Sequence, residues 1–274
     1  MAKLKIGVAL WSLGQTRDFA AFERSLDKAA SLGVTGVQPW CVDEPKWDLV
    51  CALDPDRCTT ALQRREVRRA CEKRGRTISA FCAQLAGPKT LGGFGETDAN
   101  LGARLAKTRR ALQMAAEIGS PIVTTHIGPI PENPNDAEYA RFIDSVRSVM
   151  KDAEKSGGIF ALETGQESAQ CLKQFIDNVG SPNLKVNFDP ANMIHRDPVG
   201  SVAVLAKYIV HTHAKDKHPE TGKPTVGKGS VPWKEYLAAL EAINYQGWFA
   251  LEDESCDENV AESIRFGREF LEQV

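Results

Sequence analysis

The sequence lacks any pair of cysteines at the C-x-x-C spacing used by metal clusters and redox motifs, and its cysteine count is odd. A chain of this length buries a core large enough to fold without covalent links. Both facts favour reduced thiols, which persist in the cytosol. The seven cysteines are Cys41, Cys51, Cys58, Cys71, Cys82, Cys171 and Cys256.

An excess of one charge and long apolar runs are also missing. The 274 residues carry a formal net charge of -2, whereas nucleic-acid-binding proteins usually show a clear basic excess. The one basic cluster, from Arg64 to Arg76, is typical of a solvated helix face. The apolar stretch within Met1–Leu13 is too short to span a bilayer and lacks a small-residue cleavage site. We therefore expect a cytoplasmic protein that binds neither nucleic acid nor membrane.

No linker rich in Pro, Gly or Ser divides the chain, so we expect one domain over residues 1–274. Short apolar runs alternate eight times with longer amphipathic segments, which is typical of parallel strands joined by helices. The predicted strands are 6–13, 36–40, 77–85, 122–127, 159–163, 184–189, 208–213 and 248–252. The predicted helices are 19–32, 61–74, 101–118, 136–155, 169–179, 199–206, 233–243 and 258–271. Eight such units predict an α/β fold, the (β/α)₈ TIM barrel, which commonly occupies about 250 residues.

The glycine-rich turn of a dinucleotide-binding fold is absent as well. A doubly wound open sheet would favour such a turn after its first strand. The sequence there, Leu13-Gly14-Gln15-Thr16, is not a dinucleotide fingerprint. We therefore prefer the barrel, in which functional side chains lie at the C-terminal ends of the strands.

Acidic and imidazole side chains stand at the ends of the last four predicted strands, each directly after apolar residues. They are Glu163, Asp189, His213 and Glu252. Three carboxylates gathered at one rim repel each other and raise each other's pKa, and a divalent cation removes that repulsion. Three oxygen ligands and one imidazole suit Mn²⁺, Mg²⁺ or Co²⁺ at least as well as Zn²⁺. The sequence therefore predicts one divalent metal ion at this rim.

Four longer motifs surround these residues: Asp189–Asn192 (DPAN), His211–Asp216 (HTHAKD), Val226–Trp233 (VGKGSVPW) and Tyr245–Glu252 (YQGWFALE). Together they resemble the xylose-isomerase-like barrel superfamily of sugar isomerases and epimerases, over nearly the whole chain. That superfamily includes ketose 3-epimerases, hydroxypyruvate isomerases, inosose dehydratases and apurinic endonucleases. The motifs are specific for the superfamily and weak for the reaction.

The resemblance implies that the same four residues hold a single metal, with His213 as the second histidine of the His-x-His pair. It also implies that Glu163 and Glu252 serve as acid and base on opposite faces of the substrate. Chemistry supports this double role. A metal that bridges a carbonyl and an adjacent hydroxyl acidifies the C–H between them by stabilising the enediolate. A carboxylate on each face can then remove and return the proton.

Some positions depart from particular branches of the superfamily. The endonucleases carry a histidine ligand where this chain has Asn192, which argues against a multi-metal nuclease. The ketose 3-epimerases carry an arginine shortly after the strand-seven histidine, where this chain has 217–219 (KHP). Lys215 and Asp216 look more like the inosose dehydratase and sugar-phosphate epimerase branches. The substrate and its phosphorylation therefore stay open.

Other side chains are expected near the same rim. Trp11 and Trp40 end the first two predicted strands and are candidates either for a wall against the apolar face of a sugar or for core packing. His211 points the same way as His213, and we expect it to support the site without binding the metal. The candidate substrate contacts are Trp11, Gln38, Gln84, His126, Asn192, Lys215, Asp216 and Glu254.

These observations favour a metal-dependent isomerase or epimerase that deprotonates a ketose or keto-sugar next to its carbonyl. The main alternative is a lyase or dehydratase that shares this deprotonation and then expels a neighbouring leaving group. A non-catalytic sugar-binding barrel and an enzyme like the apurinic endonucleases are further alternatives. A small sugar or polyol is the expected partner, and a homodimer or homotetramer is compatible with each reading.

We predict that all seven cysteines are free thiols and that none is a nucleophile. Titration of the denatured protein without reductant should find seven reactive thiols per chain, because a cytosolic protein keeps its thiols reduced. A stable disulfide, or complete loss of activity in Cys82→Ser, would contradict this prediction.

Overall fold

The computed structural model describes residues 3–14, 19–40, 61–83, 93–120, 122–165, 167–220, 222–255 and 259–274. Strands and helices alternate along them. The strands are β1 (Lys5–Ala9), β2 (Gly36–Gln38), β3 (Thr77–Ile78), β4 (Phe81–Cys82), β5 (Ile122–Thr125), β6 (Ile159–Glu163), β7 (Leu184–Phe188), β8 (Ile209–Ala214) and β9 (Trp248–Leu251). The helices are α1 (Phe19–Ser31), α2 (Ala61–Lys73), α3 (Leu101–Ile118), α4 (Ala137–Ser156), α5 (Ala169–Val179), α6 (Pro198–Leu205), α7 (Trp233–Ala242) and α8 (Val260–Gln273).

The strands form one parallel sheet in the order β3-β2-β1-β9-β8-β7-β6-β5-β4. β3 and β4 are two halves of one predicted strand, and they pair with opposite ends of the sheet, β2 and β5. The Cys82 amide donates a hydrogen bond to the Pro39 carbonyl at 2.9 Å, and the Ala83 amide donates to the Thr124 carbonyl at 2.8 Å. This segment joins the two edges, so the sheet is a nearly closed barrel and the predicted TIM barrel is confirmed.

The first predicted strand ends early. β1 stops at Ala9, and Leu10–Leu13 form a 3₁₀ helix that ends at Gly14 with a φ of 87°. That left-handed conformation favours glycine because a side chain would be strained there. The two leucines at the ends of the helix are buried, and a spacing of three matches the three residues per turn of this helix. Trp11 therefore lies on a helical turn at the rim and not in a strand.

Helix α5 shows why some boundaries could be predicted closely. The Ser168 hydroxyl accepts a hydrogen bond from the Cys171 amide at 3.1 Å, and Gly180 closes the helix in the left-handed conformation. Serine before a helix and glycine after it are signals that the sequence itself carries. Phe175 and Ile176 lie on the buried face of this helix, against the barrel. The predicted bounds of this helix, 169–179, agree with the structure.

Strand β8 shows how the barrel delivers polar side chains to its centre. Successive strand residues point to opposite sides, so His211 and His213 both face the interior while Thr212 faces outward. The Thr212 hydroxyl donates to the Trp248 carbonyl at 3.3 Å, which connects β8 to β9. Both histidines are buried, and the second is the one closer to the C-terminal rim.

The outer layer consists of the helices, which follow the strands around the barrel. Within the described part of the chain, none of them combines the length and the apolar character that crossing a membrane requires.

Candidate metal and sugar site

Four side chains converge at the C-terminal rim of the barrel. Glu163 ends β6, Asp189 directly follows β7, His213 lies in β8, and Glu252 directly follows β9. All four are buried, and each offers a ligand atom that lies within 4.8 Å of the other three. The structure thus brings together the four residues that the strand ends pointed to.

One edge of the His213 imidazole faces both glutamates. Its Nδ1 is 3.2 Å from Oε1 of Glu163 and 3.1 Å from Oε2 of Glu252. Its Nε2 faces the opposite way and lies 3.0 Å from Oε1 of Gln38. The ring of Trp11 packs edge-on against it, with 6.0 Å between the ring centroids. Nδ1 is therefore the nitrogen that is directed at the carboxylates.

Lys215 brings a positive charge into the cluster. Its Nζ lies 2.9 Å from Oδ2 of Asp189, 3.0 Å from Oε2 of Glu252 and 3.3 Å from Oε2 of Glu254. Glu254 is also paired with Lys223 at 2.7 Å. The ammonium group thus holds three carboxylates near one another at the rim.

The two glutamates receive different hydrogen bonds. The indole Nε1 of Trp11 donates to Oε1 of Glu252 at 3.0 Å. Glu163 instead meets Nε2 of His126 at 3.2 Å and the side-chain amide of Asn192 at 3.3 Å. His126 is half-buried, which leaves part of its ring open to the rim. The two carboxylates therefore sit in distinct surroundings although they share His213.

Both glutamates are ionised in neutral solution. Burial would raise the pKa of Glu163, but the charges of His126 and His213 and their hydrogen bonds hold that pKa well below its usual value. Burial would likewise raise the pKa of Glu252, but the charges of Lys215 and His213 lower it to about 2. Two ionised oxygen donors are thus available at the rim.

The hydrogen bonds to Asp189 show whether its oxygens are available to bind a cation. Its Oδ1 accepts hydrogen bonds from the amides of Ala191 at 2.9 Å and Asn192 at 3.3 Å. Its Oδ2 is buried and receives no well-aligned hydrogen bond from the described residues, although the Lys215 ammonium lies 2.9 Å away. We take this contact as an ion pair that leaves a lone pair free. Such an oxygen, beside two more carboxylates and an imidazole nitrogen, fits a hard divalent cation.

Gln38, which the sequence suggested as a substrate contact, has its side-chain amide engaged by protein groups. Its side chain is completely buried inside the barrel. The amide Nε2 donates to the Thr124 hydroxyl at 2.8 Å, and Oε1 meets Nε2 of His213 at 3.0 Å. Both ends of the amide are therefore occupied by protein groups.

His211 lies one layer below the ligand group. Its Nδ1 is 2.9 Å from Oδ1 of Asn187, and its Nε2 is 3.3 Å from the Ser79 hydroxyl. Burial, together with the charge of His213, lowers its pKa well below the usual value, so the ring is neutral. Its ring contacts Asn187 and Ser79, and the supporting role expected for it stays a prediction.

Asp216 also departs from its expected place as a substrate contact. Its carboxylate is buried and faces the loop that follows β8. Each oxygen accepts more than one hydrogen bond, so the side chain has little capacity left for a ligand. The donors are the amides of Lys217, Gly227, Gly229 and Val231 and the indole of Trp233, at 2.9–3.2 Å.

A cavity of about 580 Å³ adjoins Glu163 between the segments that follow β5 and β6. Its lining includes His126, Asn192, Glu167 and Lys217. The last two were not among the predicted site residues. Glu167 is buried, which raises its pKa, and it accepts a hydrogen bond from the Gly165 amide at 3.2 Å. Its one sequence signal is its position four residues after Glu163, in the loop that leaves the rim.

The cysteines within the described residues, Cys71, Cys82 and Cys171, are all buried, and Cys71 and Cys171 are free thiols. Burial raises the pKa of Cys71 and of Cys171 to about 12, so these thiols stay protonated and are poor nucleophiles. The other four cysteines and Gln84, a predicted substrate contact, lie outside the described residues.

A family model described as Xylose isomerase-like TIM barrel matches residues 26–273. The chain is 32% identical to D-psicose 3-epimerase from Ruminiclostridium cellulolyticum over 128 residues, which cover 42% of this chain and 41% of that protein. It is 24% identical to D-psicose 3-epimerase from Enterocloster bolteae, over 92% of this chain and 83% of that protein. The crystal structure of a xylose isomerase domain protein from Planctomyces limnophilus superposes with a TM-score of 0.81 at 25% identity, covering 98% of this chain and 96% of that one.

We predict that the chelator-stripped protein binds one Mn²⁺ per chain and that Asp189→Ala weakens this binding by at least about 100-fold. The variant removes a charge and a coordination position, which should cost more than the loss of a supporting residue. Calorimetric titration measures both constants. Asp27→Ala, which removes an exposed carboxylate that pairs with Arg74 on the outer surface, is the control and should bind Mn²⁺ normally. Equal affinity in Asp189→Ala and the control would contradict the site.

Proposed function

The chain belongs to the xylose isomerase-like TIM barrel family, and on this premise we propose that it is a divalent-metal-dependent isomerase or epimerase of a ketose or keto-sugar. The observation that carries the proposal is the convergence of Glu163 and Glu252 on the same nitrogen, Nδ1, of the His213 imidazole. The two relatives named as D-psicose 3-epimerases support an epimerase, one of them over most of its length. The complete set of four ligand candidates supports catalysis over simple sugar binding.

The donor set explains which residues would hold the metal and what it would add. Glu163, Asp189, His213 and Glu252 would hold a dication, which would polarise vicinal substrate oxygens and acidify the C–H between them. Glu163 and Glu252 come from β6 and β9, which are separated in the sheet by β7 and β8. Their carboxylates therefore approach the centre from different directions. Each can take a proton from, or return a proton to, its own face of a substrate carbon.

The hydrogen bonds on each glutamate keep its carboxylate in place for this work. Trp11 holds one oxygen of Glu252 and Lys215 the other. On Glu163, His126 and Asn192 both approach Oε1. Side chains that are fixed in this way lose little freedom when a proton is transferred, which favours catalysis by orientation.

The cavity beside Glu163 supports the proposal of a sugar substrate. Its volume lies in the range of small-molecule sites, and it combines apolar wall residues with a few polar groups. His126, Asn192 and Lys217 offer hydrogen bonds to hydroxyl oxygens. The buried carboxyl of Glu167 adds a further polar group to a lining that also contains the apolar residues Leu162 and Leu172. A sugar or polyol matches this mixture of hydroxyl partners and apolar surface.

Elimination would need an acid that protonates the leaving oxygen, and Lys215 is the ammonium group nearest to Glu252. Burial would lower the pKa of Lys215, but the charges of Asp189, Glu252 and Glu163 raise it well above its usual value. Lys215 therefore keeps its proton and serves as a fixed positive charge. Deprotonation of carbon is common to both reactions, so elimination stays the alternative to return of the proton to carbon.

We predict that Glu163→Gln and Glu252→Gln each fold, retain some metal and lose at least about 100-fold in turnover. Glutamine keeps the size and one oxygen but removes the basic carboxylate, and a positioned general base contributes about 10²- to 10⁴-fold. Turnover is measured on metal-loaded protein with a panel of keto-sugars that includes D-psicose.

The matched control is Glu269→Gln on α8, an exposed glutamate of the outer layer, which should turn over normally. Near-normal turnover in both site variants, with metal bound, would show that the two glutamates are ligands only. The base would then have to be sought among His126, Lys215 and Glu254.

A further inference from the structure

We propose that Gln38 is a positioning residue that sets the tautomer of His213 and so presents the unprotonated Nδ1 to the metal. This inference rests on the metal site of the proposed function. It assigns to a buried amide the role of deciding whether the imidazole can act as a ligand. It also explains why a polar side chain on β2 is enclosed in the barrel.

The position of the His213 imidazole indicates which of its nitrogens would bind the metal. Nδ1 lies 3.1–3.2 Å from carboxylate oxygens of Glu163 and Glu252, so this nitrogen faces the ligand group. A nitrogen that binds a metal carries no proton, and the ring proton must then sit on Nε2. Nε2 lies 3.0 Å from Oε1 of Gln38, which can accept that proton in a hydrogen bond. A metal-binding histidine usually donates its other N–H to such an acceptor.

The orientation of the Gln38 amide determines whether an acceptor or a donor faces Nε2 of His213. Its Nε2 lies 2.8 Å from the Thr124 hydroxyl, which accepts the amide proton and leaves Oε1 directed at His213. The reversed amide would place an N–H donor against Nε2 of His213. The ring proton would then move to Nδ1, between the two glutamates, where it would compete with a cation. In the structure, Thr124 takes the amide N–H and Oε1 is left for His213, which is the arrangement in which the imidazole can bind a metal.

The side-chain amide of Asn187 also lies close to His213, but it is not placed to accept the Nε2 proton. Nδ2 of Asn187 lies 3.4 Å from Nδ1 and 3.3 Å from Nε2 of His213. Because the two distances are nearly equal, this group lies over the ring and is not in line with either nitrogen. The carbonyl of Asn187 is engaged by His211 at 2.9 Å. Among the residues that the structure describes, Gln38 provides the acceptor aligned with Nε2.

The test compares two replacements of similar size in Mn²⁺ titrations of chelator-stripped protein. Gln38→Met fills the space without accepting a hydrogen bond, and we expect a roughly 10- to 100-fold weaker Mn²⁺ affinity. Gln38→Glu keeps an acceptor facing Nε2 of His213, and we expect it to bind Mn²⁺ within about tenfold of the unaltered chain. A role in packing alone predicts the reverse order, because methionine packs well in a core and a buried extra carboxylate does not.

A second measurement uses the unaltered chain and so does not depend on the folding of a variant. Long-range ¹H–¹⁵N NMR of the Zn²⁺-loaded protein should find the His213 proton on Nε2 and the metal on Nδ1. A proton on Nδ1, or equal Mn²⁺ affinity in Gln38→Met and the unaltered chain, would overturn the inference. If the unaltered chain bound no metal, the proposed function itself would fail. Metal binding without sensitivity to position 38 would overturn only the role of Gln38.

Discussion

The repulsion among three carboxylates buried around one imidazole is the constraint on which the site depends. Glu163, Asp189 and Glu252 place ligand oxygens within 4.8 Å of one another and of His213. In a buried environment such charges are costly unless positive charge and hydrogen bonds offset them. Lys215 supplies a nearby cation, and the backbone amides after Asp189 supply donors. A bound dication at the centre would complete this balance.

The barrel meets that constraint by its geometry. The carboxylates and the imidazole arrive from β6, β7, β8 and β9, which are neighbours in the sheet. Each side chain stands at or next to the C-terminal end of its strand, so one rim collects all four. The buried carboxylate of Asp216, next to Lys215, accepts hydrogen bonds from the loop after β8. Beneath the rim, Thr124 is hydrogen-bonded to Gln38, and Gln38 in turn contacts His213.

The features that could be predicted from the sequence were those that periodicity and strand ends reveal. Alternating apolar runs predicted the barrel, and a polar residue after each late strand predicted which side chains would meet. The direction of a buried polar side chain is not encoded in that pattern. Gln38 was expected at the substrate but turns inward to His213. Asp216 was expected there too, but a loop folds back onto it, and its carboxylate accepts a hydrogen bond from Trp233, 17 residues further along the chain. Glu167 was missed because it lies in a loop, where no period marks which residue faces a cavity.

The most direct test of the account is solvent exchange at carbon. The metal-loaded protein is incubated with a keto-sugar panel in D₂O, and products and recovered substrates are examined by NMR and mass spectrometry. The account predicts an isomeric product with one deuterium on the carbon next to the carbonyl, because a carboxylate removes that proton and returns one that has exchanged with solvent. A product that forms with all of its carbon-bound hydrogen retained, or one that has lost water, would contradict it.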